Sequence, residues 1–128
     1  IMSDHDQWQD KLDEDSYQIC RLKGTEPAFS GEYNDFYQEG EFLCKCCAAH
    51  LFSSQNKYNS HSGWPSFFKA NMNNIKLVTD NSYNMERIEV TCKNCDSHLG
   101  HVFDDGPKPT GKRYCINSLS LRFKKKNA

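Results

Sequence analysis

The chain is short of apolar residues. Over 128 residues the hydrophobic share is 37%, below the roughly 45–50% of an ordinary globular chain, and a core this thin calls for a further staple. Long hydrophobic runs are missing: no stretch approaches the 18 or so apolar residues of a membrane-spanning helix, and no signal peptide is visible. Charge of one sign is missing as well. Sixteen basic against seventeen acidic side chains leave a formal net charge of −1, which gives no global attraction to nucleic acid or anionic membrane. Partners must therefore be read from local sites, and the closing "RFKKKNA" reads as a solvated basic tail. There is no internal repeat beyond two cysteine knuckles.

The length suits one domain, read here as residues 1–128 with an N-terminal lead over 1–16 and a basic tail over 124–128. The acidic start carries Trp8, Leu12 and Ile19 at loose helical spacing with Asp4 or Asp6 as N-cap, predicting one or two short helices. Beyond it the pattern turns to short strands, "EFLCK", "IKLVTD", "MERIEVTC", "HLGHVF" and "RYCINSLSLRF", punctuated by Gly, Pro, Asn and Ser. The expected class is mainly β, antiparallel.

Cysteine is what the chain has in plenty, and seven is an odd count, so internal pairing cannot be complete. Cys44-x-x-Cys47 and Cys92-x-x-Cys95 each place two thiolates on one tight turn, and two such turns make a four-sulfur tetrahedral shell. Structural Zn2+ is the expected ion, in a reducing compartment. The 44 residues between the knuckles exceed those of a simple ribbon, so the ion would clip distant parts of a sheet. The location expected is cytoplasmic, or an organelle if a targeting segment has been removed.

Three further features carry chemistry. In "SHLGHVF", His98 and His101 would face opposite ways on a regular strand, and a bulge at Leu99-Gly100 would turn both to one side. Trp64 sits between Gly63 and Pro65 in a stiff loop, as core packing or as an exposed indole wall. Strand alternation in "RYCINSLSLRF" places Arg113, Cys115, Asn117, Leu119, Leu121 and Phe123 on one face. A lone buried cysteine is inert filler in most contexts, but a cation such as Arg113 on its face favours the reactive thiolate.

Together "GTEPAFSGEY", "CKCCAAHLF", "SGWPSF" and "HLGHVFDDGPKPTGKRYCINS" resemble the methionine-R-sulfoxide reductases of the B type, over roughly Tyr17 to Phe123. The resemblance implies two antiparallel sheets and a structural zinc on Cys44, Cys47, Cys92 and Cys95. It implies Cys115 as nucleophile, with His98, His101, Arg113 and Asn117 around it and Trp64 against the substrate methyl. It implies an oxidoreductase of protein repair under oxidative stress, acting on methionine-R-sulfoxide, free or in oxidised proteins, and recycled by thioredoxin or another thiol. A monomer is expected, with neither nucleic acid nor membrane as partner. One departure stands out: the position where many members carry the resolving cysteine is Ser62. Cys20 is the first alternative for that role, an outside thiol the second, and Cys46, pinned in a knuckle, the third. The rival reading is a zinc-stabilised binding module without catalysis.

Overall fold

The computed structural model describes residues 11–126, so Trp8 and the caps expected at Asp4 or Asp6 lie outside the described residues. The first described helix is α1, Glu14–Cys20, and its N-cap is Asp13, whose carboxylate accepts the Ser16 N–H at 2.7 Å. Its inward side carries Tyr17, Ile19 and Cys20.

Among the described residues nine strands follow: β1 Gly40–Cys44, β2 His50–Ser53, β3 Lys57–Tyr58, β4 Ser66–Phe67, β5 Ile75–Asp80, β6 Arg87–Cys92, β7 His98–Phe103, β8 Arg113–Ile116 and β9 Leu121–Lys125. They form two sheets with antiparallel pairing throughout, one of three strands in the order β2-β1-β9 and one of six in the order β3-β4-β8-β7-β6-β5. The basic tail begins inside the fold, because Lys124 and Lys125 pair with Glu41 and Gly40.

The core lies between the sheets. Phe42 and Phe52 from the small sheet meet Phe67 from the large one, the Phe52 and Phe67 rings stacked at 4.3 Å. Leu51, Val90, Leu99, Ile116 and Leu121 fill the rest, all fully buried. Few apolar residues suffice because aromatic rings cover much area each.

The long strand expected over 113–123 is two strands. It breaks at a 3-10 turn, Ser118–Ser120, and the chain changes sheets there. The six residues expected on one face therefore do not share it. Arg113 and Cys115 point away from the core, Tyr114 and Ile116 into it, while Leu121 and Phe123 reach the same core from the other sheet. Period-2 reasoning holds only while the backbone stays extended, and the Ser-rich turn resets it.

Candidate active site

On the outward face of the large sheet, strand register aligns Tyr58, Ser66, Cys115, His101, Glu89 and Val78 in one row across six strands. Cys115 and His101 are direct cross-strand partners. The neighbouring row holds Thr91 opposite His98, and the register slips between them and the Val90–Gly100 pair, so Leu99 is the extra residue of a bulge. That bulge turns His98 onto the face of His101, and their rings lie 5.5 Å apart, edge to face. Gly100 is dictated by crowding, since a Cβ there would stand 2.0 Å from the Cys115 carbonyl oxygen.

Each histidine is held by a carboxylate that sequence reading missed. His98 Nδ1 is 2.7 Å from Glu89 Oε2, and Glu89 Oε1 is 3.1 Å from the Lys23 ammonium. His101 Nε2 is 2.7 Å from Asp80 Oδ2. Burial alone would push the Glu89 carboxyl up, but His98 and Lys23 bring it below its ordinary value. Asp80 is held far below the carboxylate range, first by His101 and then by the Ser82 N–H. Burial draws His101 down, with Asp80 opposing. The signal for Glu89 was in the alternation of "RIEVTC", which puts Arg87, Glu89 and Thr91 opposite the core residues; Asp80 closes β5 and no periodicity marks it.

Cys115 is half-buried. Burial pushes its thiol up, while the Arg113 guanidinium and a hydrogen bond with the Ser62 hydroxyl draw it down. Arg113 acts in the direction expected, yet burial prevails in the free protein. The guanidinium is itself fixed by Asp105, Nε to Oδ1 at 2.8 Å and Nη2 to Oδ2 at 3.1 Å, and lies 4.4 Å above the Phe103 ring. Asp105 is a further residue that no spacing rule singled out. Ser60 donates to Ser62 at 2.8 Å and shares a 2.7 Å bond with Ser66, so a hydroxyl cluster lines one flank of the thiol.

Trp64 is half-buried and anchored, its indole N–H donating to the Glu26 carbonyl at 2.9 Å. Asn117, 3% exposed, spends its carboxamide on the main chain: Nδ2 donates to the carbonyl of bulged Leu99 at 3.0 Å, and Oδ1 accepts the Glu26 N–H at 3.1 Å. It ties the bulge to the loop that anchors Trp64. Glu26, 2% exposed, accepts the Leu119 N–H at 3.0 Å, and burial raises its carboxyl.

The knuckles come together as the spacing required. Sγ of Cys44 and Cys95 are 3.6 Å apart, as are those of Cys47 and Cys92, and all four sulfurs lie within 4.8 Å of one another. A tetrahedral ion with sulfur at about 2.3 Å has edges of roughly 3.8 Å, so the residues fit zinc. Each knuckle closes the same way, Ala48 and Asp96 donating to the carbonyls of Cys44 and Cys92 from left-handed backbone, φ 64° and 62°. One knuckle ends β1 of the small sheet, the other β6 of the large sheet. Cys20 lies apart from the nucleophile. It is 1% exposed, its Sγ 3.7 Å from the Leu119 carbonyl and 3.9 Å from Ser120 Oγ.

Among the described residues no helix is long and apolar enough to cross a membrane. Residues 12–125 match the SelR domain. The chain is 54% identical over 126 residues to a peptide methionine sulfoxide reductase MsrB of Saccharophagus degradans, covering 98% of this chain and 94% of that one. It is 53% identical over 119 residues to the MsrB of Acinetobacter baylyi and 52% over 119 residues to that of Acinetobacter baumannii, in each case 92% of this chain and 86% of the relative. A thiol facing a carboxylate-held histidine pair, on a sheet clipped by four cysteines, and matches of this extent lead to one conclusion: the chain belongs to the SelR domain family, the family of the MsrB peptide methionine sulfoxide reductases.

Proposed function

We propose that the protein reduces methionine-R-sulfoxide, free or in oxidised proteins, to methionine. The observation that carries the reading is the row Ser66, Cys115, His101, Glu89, with His98 folded onto the same face by the Leu99 bulge. A binding module has no need to set a half-buried thiol against two histidines that each engage a carboxylate.

In the chemistry proposed, the Cys115 thiolate attacks the sulfoxide sulfur, the S–O bond breaks, the oxygen passes to Cys115 as a sulfenic acid, and methionine leaves. The oxygen gains negative charge on the way and needs a proton donor and hydrogen bonds already in place. His98 and His101 supply them. Glu89 and Asp80 hold the rings and stabilise an imidazolium, as a carboxylate behind a histidine does. Arg113 counters the cost of burying the thiolate. Trp64, fixed at its N–H end, offers its ring face to the ε-methyl, and placing that small group distinguishes one sulfoxide epimer from the other. Asn117 acts through position, holding the bulge.

Zn2+ on Cys44, Cys47, Cys92 and Cys95 is structural in this reading. Four protein ligands leave no coordination position for substrate. Regeneration is assigned to Cys20, which forms a disulfide with Cys115 and releases water, thioredoxin or another thiol reductant then reducing the protein. Because Cys20 packs against Leu119 and Ser120, α1 must shift for the sulfurs to meet. The protein acts as a monomer. Incubation with dithiothreitol and each methionine sulfoxide epimer tests the proposal: methionine from the R epimer alone is expected, and none from either refutes it.

A further inference from the structure

Two aromatic side chains stand in solvent although the chain is poor in apolar residues. Phe29 is 70% exposed and Tyr37 53%, and both line a groove of about 290 Å³ with Asn34, Asp35, Asn59 and His61. Each is held in place. The Phe29 N–H donates to the Gly63 carbonyl at 2.7 Å, and its ring lies against Gly63, where a Cβ would stand 2.9 Å from ring carbon Cδ2. Phe29 and His61 both have left-handed backbone, φ 66° and 62°, a conformation that residues with bulky side chains seldom adopt. Such conformations persist where the surroundings over-determine them, and they collect at ligand clamps. Tyr37 lies under the Lys57 ammonium, 4.0 Å from the ring centroid, and the same ammonium donates to the Asn34 carbonyl at 3.1 Å. Aromatic rings fixed before contact lose little freedom when a partner covers them.

The groove is continuous with the row that carries Cys115. Ser60, between the groove residues Asn59 and His61, shares a 2.7 Å hydrogen bond with Ser66, and Ser66 is the cross-strand partner of Cys115. Gly63, under the Phe29 ring, precedes Trp64, whose indole N–H is tied to the Glu26 carbonyl three residues before Phe29. Two hydrogen bonds thus staple the loop of Phe29 to the loop of Trp64. We propose that this groove is the subsite for the polypeptide on either side of the methionine sulfoxide, with Phe29 receiving an apolar side chain next to it in sequence. The inference rests on the reading that Cys115 turns over methionine sulfoxide with Trp64 against its methyl. Successive Cα atoms are only about 3.8 Å apart, so a chain seated at Trp64 brings its next residue toward the ring over Gly63. The Asn34 carboxamide suits the peptide groups of any sequence, which leaves selectivity to Phe29 and Tyr37. A flanking contact is made alike before and during the chemical step, so its effect belongs in KM.

The test compares two capped pentapeptides with methionine-R-sulfoxide at the centre, its neighbours leucine in one and glycine in the other, turned over by zinc-loaded protein with dithiothreitol. Wild-type protein should favour the leucine peptide by about tenfold in kcat/KM, the size of an ordinary aromatic contact at an interface, with the difference in KM and not in kcat. In Phe29→Ala the ratio of the two peptides should fall toward one, and Phe29→Tyr should keep it near the wild-type value. Equal use of both peptides by wild-type protein overturns the subsite while leaving the catalytic reading intact, and this arm needs no variant to fold. A loss in Phe29→Ala that is the same for both peptides assigns Phe29 to the loop's structure and overturns its selectivity. No methionine from either peptide overturns the catalytic reading, and the subsite with it.

Discussion

Cys115 is a thiol whose neighbours pull in opposite directions, and the balance is measurable. Burial raises it and Arg113 lowers it, so alkylation of the free protein by iodoacetamide should be slow at neutral pH and still accelerating above pH 9. Arg113→Ala removes the lowering influence and should move that profile to higher pH; a shift the other way contradicts the assignment. Cys115→Ser should abolish methionine formation while circular dichroism and thermal unfolding stay those of wild type, and turnover by this variant would sink the nucleophile. Asparagine at His98 or His101 should slow the first turnover by a factor of order 10²–10⁴, the usual worth of a positioned acid. Rapid-quench measurement of methionine in one turnover checks it without interference from recycling.

The element on which the site depends is the bulged strand β7. A methyl at Gly100 would have to displace the Cys115 carbonyl at 2.0 Å, so Gly100→Ala should destabilise by about 1–3 kcal/mol, the typical cost of overpacking. It should also cut first-turnover rate, because strand β8 carries Cys115 with it. Retention of full rate and stability would mean that the two strands slide apart freely. At the far end of the sheet, β5 supplies Asp80 to His101. The Asp80 carboxyl lies below its ordinary 3.8 in the fold, so its contribution to stability is present above the unfolded value and lost as pH falls through the folded one. The melting temperature should therefore decline as acid is added below about pH 4, and Asp80→Asn should flatten that decline. An unchanged acid limb in the variant would assign it to the other carboxylates.

At the scale of the molecule, two sheets share an aromatic core and one four-cysteine clip. The clip joins the ends of β1 and β6, so an ion held there would tie together segments that no short hairpin connects. Structural zinc contributes on the order of 10–16 kcal/mol of apparent folding free energy in small metal-dependent units. Purified protein should hold one zinc per chain by elemental analysis, and chelation should lose the cooperative thermal transition. A folded, active sample without metal would refute the assignment.

Residue identity and spacing alone determined the knuckles, because two residues between thiolates aim both at one ion wherever the turns end up. They also determined the bulge, because two histidines three apart around a glycine share a face only if one residue is extra. Other features waited for the tertiary structure. The carboxylates that hold the histidines come from β5 and β6, Asp105 from the loop after β7, and the Trp64 anchor from Glu26, 38 residues earlier in the chain. Alternation shows which side a strand presents and not what stands opposite. The face read along Arg113 to Phe123 failed for a related reason: a 3-10 turn sends the chain to a second sheet, which local periodicity cannot see. The seat of Cys20 against Leu119 and Ser120 belongs to the same class, set by how α1 packs on the turn between β8 and β9, and only packing decides that.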